Sequence, residues 1–229
     1  ERTEGTPQGG PLSPLLANLY LDPLDRELEK RGHCFARYAD DCNLYVAGPA
    51  AAERLMQTLP EWIEKHLRLK VNRSKSGTGR PWERKFLGFT ITPEGQIAVA
   101  AASLERFKAQ VRALWEARQS RTTLQLRDQW IHYVRGWWNY FRLSEWRRPV
   151  FDLERWIRRH IRKCFWLRWH GTRGRRRALA RLGVRDPLLA GAASSRGAWR
   201  MARHPVMHTG LSNQALRRYG FLMPSDLAV

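Results

Sequence analysis

Cysteine is scarce in this chain: only Cys34, Cys42 and Cys164 occur in 229 residues. An odd number at these spacings fits neither a disulfide framework nor a zinc ligand pattern, so the three read as ordinary reduced side chains. His204 and His208 stand four apart, but Pro205 interrupts the interval and no Cys or acidic ligand lies near, so no metal is assigned there. Nowhere does the chain hold the ~20 consecutive apolar residues that span a bilayer. Its opening, ERTEGTPQGG, has neither the basic leader nor the apolar core of a secretion signal. A cytoplasmic protein with no membrane partner is expected. The first residue is Glu1, not Met, which reads as a chain that begins inside a longer polypeptide or has been processed.

Acidic residues are the second deficit, and they are missing from one half only. Residues 1–97 carry 14 Lys+Arg against 13 Asp+Glu, whereas residues 98–229 carry 27 against 8, so almost all of the +20 net charge sits in the second segment. Hydrophobic residues at 43% and aromatics at 11% are enough for real cores, which excludes disorder throughout. A positive field carried mostly by arginine concentrates polyanions at a surface. Arginine's planar fork matches phosphate, and interleaved aromatic rings offer faces to unstacked bases, so a nucleic-acid partner is expected over a solubility device or a membrane patch.

Residues 5–11 are a loop by composition, and Leu12-Ser13-Pro14 leads into a helical pattern in which Leu15, Leu16, Leu19, Leu24 and Leu28 fall near one face. Segments 35–40 and 43–46 read as strands of a hairpin with two carboxylates at its tip. A second amphipathic helix covers 50–67, followed by a short strand at 69–71, a polar loop at 72–84 and paired strands at 85–91 and 96–100. From residue 103 only helices are expected, at about 103–118, 123–144 and 150–168, then an arginine loop at 171–177 and a less regular tail. The fold class is α+β: residues 1–100 form one domain, 101–182 a helical domain and 183–229 a basic tail.

On a wheel of 100° per residue, Leu153, Ile157, Ile161 and Cys164 group on one side of the third of these helices, and Arg155, Arg158, Arg159 and Arg162 on the other. One face reads as core and the other as an arginine rail for RNA, which Arg173, Arg175, Arg176 and Arg177 extend. Trp130, Val134, Trp137 and Phe141 follow a packed stripe, leaving Trp138 and Tyr140 as candidates for touching a ligand.

The acidic tip is Tyr38-Ala39-Asp40-Asp41. Nucleotidyl transfer by two metals needs oxygen ligands that hold two cations about 3.5–4 Å apart, and two aspartates at a hairpin tip can converge for that purpose. A pair of aspartates in a turn is also common for hydrogen-bonding reasons alone.

Four segments occur in order: TPQGGPLSPLLANLYLDPLD, RYADD, KVNRSKS and KFLGFTI. Together they resemble successive palm motifs of reverse transcriptases, most closely those of bacterial group II intron-encoded proteins. LRDQWIHYVRGWWNYF and the segment from 151 to 183 are similar to the thumb, or maturase, domain of that family. The segment from 194 to 221 is like the tail of its short class C members. The resemblance implies a partial palm followed by an all-α thumb, and the activity of an RNA-directed DNA polymerase and splicing maturase. It implies Asp40 and Asp41 as Mg²⁺ ligands and, with Lys75 near the triphosphate, as the catalytic set. Pro7, Gln8, Gly9 and Tyr38 would receive the nucleotide, and Leu87, Gly88 and Phe89 would form the primer grip. The implied partners are group II intron RNA, an RNA template with a DNA primer, and dNTP; the oligomeric state is open.

In the family, the fingers and the palm strand with the first catalytic aspartate precede the Pro-Gln-Gly loop, where this chain starts. The expectation is therefore a C-terminal portion that binds RNA, with an incomplete two-metal site and no polymerase activity alone. Two alternatives stand beside it: a stand-alone RNA-binding splicing factor or chaperone, and a retron-type or diversity-generating reverse transcriptase.

Overall fold

The structure, a computed structural model, describes residues 10–228, and the chain divides into two compact units, one up to Phe86 and one from Leu87 onward. The architecture is α+β, with two separate two-stranded antiparallel sheets and mostly helix elsewhere.

In the first unit, α1 (Ser13–Lys30) starts with Pro14 in its first turn, where a missing N–H costs nothing, and stops at Gly32, whose φ of +71° suits glycine. A hairpin follows, β1 (Cys34–Tyr38) with β2 (Asp41–Tyr45), and then α2 (Pro49–His66). Leu24 and Leu28 of α1 meet Leu59 of α2 and Leu67, with Phe35, Cys42 and Leu44 of the hairpin closing the core. The Tyr20 hydroxyl donates to the Leu67 carbonyl at 2.7 Å and pins the end of α2 to α1. The expected leucine stripe of α1 divides: Leu24 and Leu28 are buried, while Leu15, Leu16 and Leu19 are exposed. The reason is that the residues packed in this core reach only the C-terminal half of the helix. Residues 69–71 form no strand; they pass in irregular backbone to the turn that follows.

The second unit opens with a hairpin, β3 (Phe89–Ile91) and β4 (Ile97–Val99), turned by Thr92 to Gly95, with Gly95 at φ +86°. Then come α3 (Ala101–Leu114), α4 (Thr123–Phe141), α5 (Arg148–Arg168), α6 (Gly171–Arg181) and three short helices, α7 (Ala198–Met201), α8 (Pro205–Gly210) and α9 (Asn213–Arg218). Thr122 caps α4 reciprocally with Gln125. Phe107, Trp115, Trp130, Val134, Ile157, Ile161 and Trp166 build the main core.

The sequence placed the 89–99 hairpin with the first domain and set the tail apart. In the fold, the hairpin belongs to the helical unit: Val99 and Phe89 pack with Trp138 and Phe141 of α4, and the N–H groups of Glu145 and Trp146 donate to the Ile97 carbonyl at 2.8 and 3.1 Å. The tail is built into the same core through Met201, Met207, Leu216 and Phe221. Its carbonyls at Leu222 and Leu227 accept the indole N–H groups of Trp130 and Trp138 at 2.7 and 3.1 Å. A buried indole must donate somewhere, and here the tail supplies the acceptors. Trp138 is thus core, contrary to the ligand contact expected of it.

Candidate active site and nucleic-acid interface

Hairpin pairing ends at Tyr38 opposite Asp41, so only Ala39 and Asp40 make the loop. Ala39 takes φ +53°, an unusual state for a residue with a Cβ and the means by which a two-residue loop closes. Asp40 therefore sits at the tip and Asp41 begins β2; both are exposed, as is Tyr38, and neither aspartate makes an ion pair among the described residues.

What holds this turn was missed in the sequence. Arg37 donates from Nε and Nη2 to the two carboxylate oxygens of Asp25 at 2.7 and 2.5 Å. Its Nη1 donates to Asn18 Oδ1 at 3.1 Å and to the Ala39 carbonyl at 2.9 Å. One guanidinium thus ties the acidic turn to α1, and the hydrogen bond to Asp25 pushes its pKa up. A signal existed: Asp25 lies four residues after Leu21 and three before Leu28, an acid inside the buried stripe of α1. Beside this pair, burial raises the Cys42 thiol to about 11, with the Asp25 charge adding to it, so Cys42 is an inert packed side chain.

Asn72 shapes the turn that carries Lys75. Its Oδ1 accepts from the Lys75 N–H at 3.2 Å and from Ser74 Oγ at 2.8 Å, an Asx turn that leaves Lys75 exposed. Lys75, Asp40 and Asp41 lie in the same unit. Pro7, Gln8 and Gly9 lie outside the described residues.

Leu87 and Gly88 make a tight turn with φ of +51° and +80°. The Tyr140 hydroxyl donates to the Leu87 carbonyl at 2.9 Å, and Ser103 Oγ and the Ala100 N–H donate to the Gly88 carbonyl, each at 3.0 Å. Phe89 packs on Tyr140 and Phe141. The turn is therefore held rigid by α3 and α4, and Leu87 remains partly exposed at its corner.

The arginine rail is not one outward face, because the tail covers α5 on the side expected to be open. Arg162 is 4% exposed and donates to the Leu211 carbonyl at 2.9 Å and to Asn213 Oδ1 at 3.0 Å. Burial, then the Arg158 charge, lowers its pKa to about 10, which leaves it charged at neutral pH. Arg158 pairs with buried Glu154 at 2.8 Å, and Arg159 lies over Trp199. Of the four, Arg155 is the exposed one, Arg158 and Arg159 being half-buried. The expected arginine loop is helical, since α6 begins at Gly171. On it Arg173, Arg176 and Arg177 are exposed, while Arg175 leans on Trp166 at 4.3 Å.

Among the described residues no three His, Cys, Asp or Glu side chains converge as a metal site, and no helix is long and apolar enough to cross a membrane. Residues 1–91 match the family model described as reverse transcriptase (RNA-dependent DNA polymerase), and residues 104–183 match the group II intron, maturase-specific domain. The chain is also similar to the retron Ec86 reverse transcriptase of Escherichia coli, 28% identical over 136 residues, which is 57% of this chain and 39% of that relative. The chain thus spans well under half the length of this curated relative. The chain thus carries a reverse-transcriptase segment followed by a group II intron maturase-specific one, which supports a group II intron-type reverse transcriptase/maturase.

Proposed function

We propose that this chain contributes part of the polymerising centre and the RNA grip of an RNA-directed DNA polymerase and splicing maturase. The observation that carries the reading is the Asp40–Asp41 tip: two exposed carboxylates without ion-pair partners among the described residues, on a turn that Arg37 locks in place. Such hard oxygen donors suit Mg²⁺, so Asp40 and Asp41 would contribute two of its ligands. When bound, the metal would neutralise charge on the nucleotide and acidify the attacking hydroxyl. Asp40, at the tip, is the more important of the pair. Lys75 neutralises the triphosphate or gives a proton to the leaving pyrophosphate, and exposure on an Asx turn leaves it free for that role. Pro7, Gln8, Gly9 and Tyr38 receive the incoming dNTP.

Leu87, Gly88 and Phe89 position the primer end; a turn braced at both carbonyls is a suitable support for it. Template, primer and intron RNA are held by the second unit, where Arg155, Arg173, Arg176 and Arg177 are exposed, Arg176 also pairing with Asp186 at 3.4 Å. Arg158, Arg159, Arg162 and Arg175 were also expected to touch RNA; their protein contacts favour a supporting role, with Arg159 retained as a contact below. The match over residues 104–183 supports a group II intron over a retron-type system.

The test is extension of a DNA primer on an RNA template with Mg²⁺ and dNTP, by the polypeptide that carries this chain. Asp40→Asn should slow extension by about two orders of magnitude with RNA affinity retained. Extension at the unaltered rate would overturn the assignment.

A further inference from the structure

Two tryptophans and three cations gather around a buried imidazole on one side of α5, with a fourth cation acting on one of the three. His160 is 8% exposed, and its Nδ1 has no hydrogen-bond partner among the described residues. Its ring stands edge-on between Trp156, at 4.2 Å and 61°, and Trp199, at 4.9 Å and 62°. The Arg159 guanidinium lies 3.7 Å from the centre of the Trp199 ring and donates twice to the Trp199 carbonyl, at 3.2 and 3.0 Å. Arg112, from α3, lies over Trp156 at 5.4 Å. Lys163 acts electrostatically on His160, and Arg203, just after α7, acts on Arg159.

None of Arg112, Arg159, Lys163 and Arg203 makes an ion pair among the described residues. The acids that feel them are engaged elsewhere: Glu105 with Lys108 at 2.6 Å, and Glu116 with the N–H groups of Ala117 and Arg118 at 2.8 and 3.3 Å. Folding has therefore drawn like charges together while the acids that act on them are hydrogen-bonded to other groups, which costs energy unless an anion joins them. A face meant only for solubility has no need of tryptophan. Here Trp199 is 36% exposed with an arginine stacked on it, an arrangement that extends naturally to Arg–Trp–base stacking.

We infer that Arg112, Trp156, Arg159, Lys163, Trp199 and Arg203 form a seat for one unpaired nucleotide of an RNA strand, its phosphate held by the cations and its base laid against Trp199. The inference rests on the RNA-binding reading of the second unit and names where on that unit a single strand is held. Of these residues only Arg159 stood out in the sequence. The others come from α3, α5 and the segment around α7, and no linear pattern joins them. His160 packs beneath the seat and reports on it: burial and the charges of Lys163, Arg112 and Arg159 hold its pKa down to about 4, so a bound phosphate should move it back up.

The test compares the whole chain with its Arg112→Gln/Lys163→Gln variant, using single-stranded oligouridylate and a blunt RNA duplex as probes, with circular dichroism as the check on folding. The single strand should bind the variant about tenfold more weakly, with the log-log salt slope shallower by about 0.7, one phosphate contact on a single strand. Duplex affinity should change less. Trp199→Phe should keep most of the affinity that Trp199→Ala loses. In the unaltered chain, oligouridylate should raise the His160 pKa seen in ring NMR, a readout that needs no variant. Unchanged single-strand affinity, equal losses for both probes, or an unmoved His160 would each overturn the seat while the RNA-binding reading stands. Failure of the unaltered chain to bind either RNA would overturn both.

Discussion

Arg37 clasps both carboxylate oxygens of Asp25 and, with its remaining nitrogen, reaches the Ala39 carbonyl beside Asp40. The pair is largely shielded, with side chains 11% and 25% exposed, so its hydrogen bonds count for more than those of a surface ion pair. Arg37→Ala should cost about 1–3 kcal/mol of stability and loosen the acidic turn. Arg37→Leu/Asp25→Leu should recover part of that loss in denaturant unfolding, because neither charge is then left unpaired, but it should not recover catalytic function. Additive single losses would show that the two side chains do not interact.

Gly88 and Gly95 share a positive φ but not the space around it. A Cβ at Gly88 would come 3.1 Å from Ser103 Oγ and 3.3 Å from the Phe141 ring, whereas one at Gly95 would meet nothing within 4 Å. Gly95→Ala should lose about 1 kcal/mol from backbone strain alone, and Gly88→Ala more, about 2–3 kcal/mol. Thermal unfolding of the two variants side by side checks the order. Equal losses would mean that the turn yields freely.

Arginines of the second unit should separate into two groups. Arg162→Ala strips donors from the Leu211 carbonyl and Asn213, and should lower stability by about 2–4 kcal/mol. Arg173→Ala/Arg176→Ala/Arg177→Ala should leave the melting temperature nearly unchanged and weaken RNA binding. Each lost phosphate contact should flatten the log-log salt slope by about 0.7–0.9. Titrations at several salt concentrations, with a melt for each variant, would expose an exchange of roles.

His160 should make the fold acid-sensitive. Its pKa in the fold is about 4 against 6.5 in the free side chain, so the unfolded chain binds the extra proton between those values. Stability is then full above about pH 6.5 and falls as pH drops toward 4, by up to about 3 kcal/mol. The groups responsible are Arg112 from α3 and Arg159 and Lys163 from α5 itself, with burial the leading cause. His160→Phe should flatten the melting temperature across that window. A variant with the original slope would place the acid sensitivity elsewhere.

Elements defined by local pattern were legible before any fold was known. The hairpin strands, α2, α4 and α5 lie within a few residues of where periodicity puts them, since side-chain spacing alone selects helix or strand. The 69–71 strand failed because Leu69 and Val71, with Lys70 between them, are too short a segment to form a strand without a partner edge. The 171–177 loop failed because glycine and arginine were read as turn and charge, although Leu179 anchors a helix there. Asp40, Asp41 and Lys75, the residues of the proposed site, stand out in the sequence by type and spacing; Arg37, Ser103 and Tyr140, which brace the turns, do not, because their partners lie 12 or more residues away.

By itself, the order of residues determined most of the helices and hairpins, the charge asymmetry and the acidic tip, since each depends on neighbours within a turn or a hairpin. Only the tertiary structure decided which arginines face inward. The tail folds back over α5, burying Arg162 beneath Leu211 and leaving Trp199 against Arg159 and His160. A helical wheel gives each side chain a direction but not what covers it; coverage is set by distant chain segments competing to bury apolar surface, and no local period encodes that.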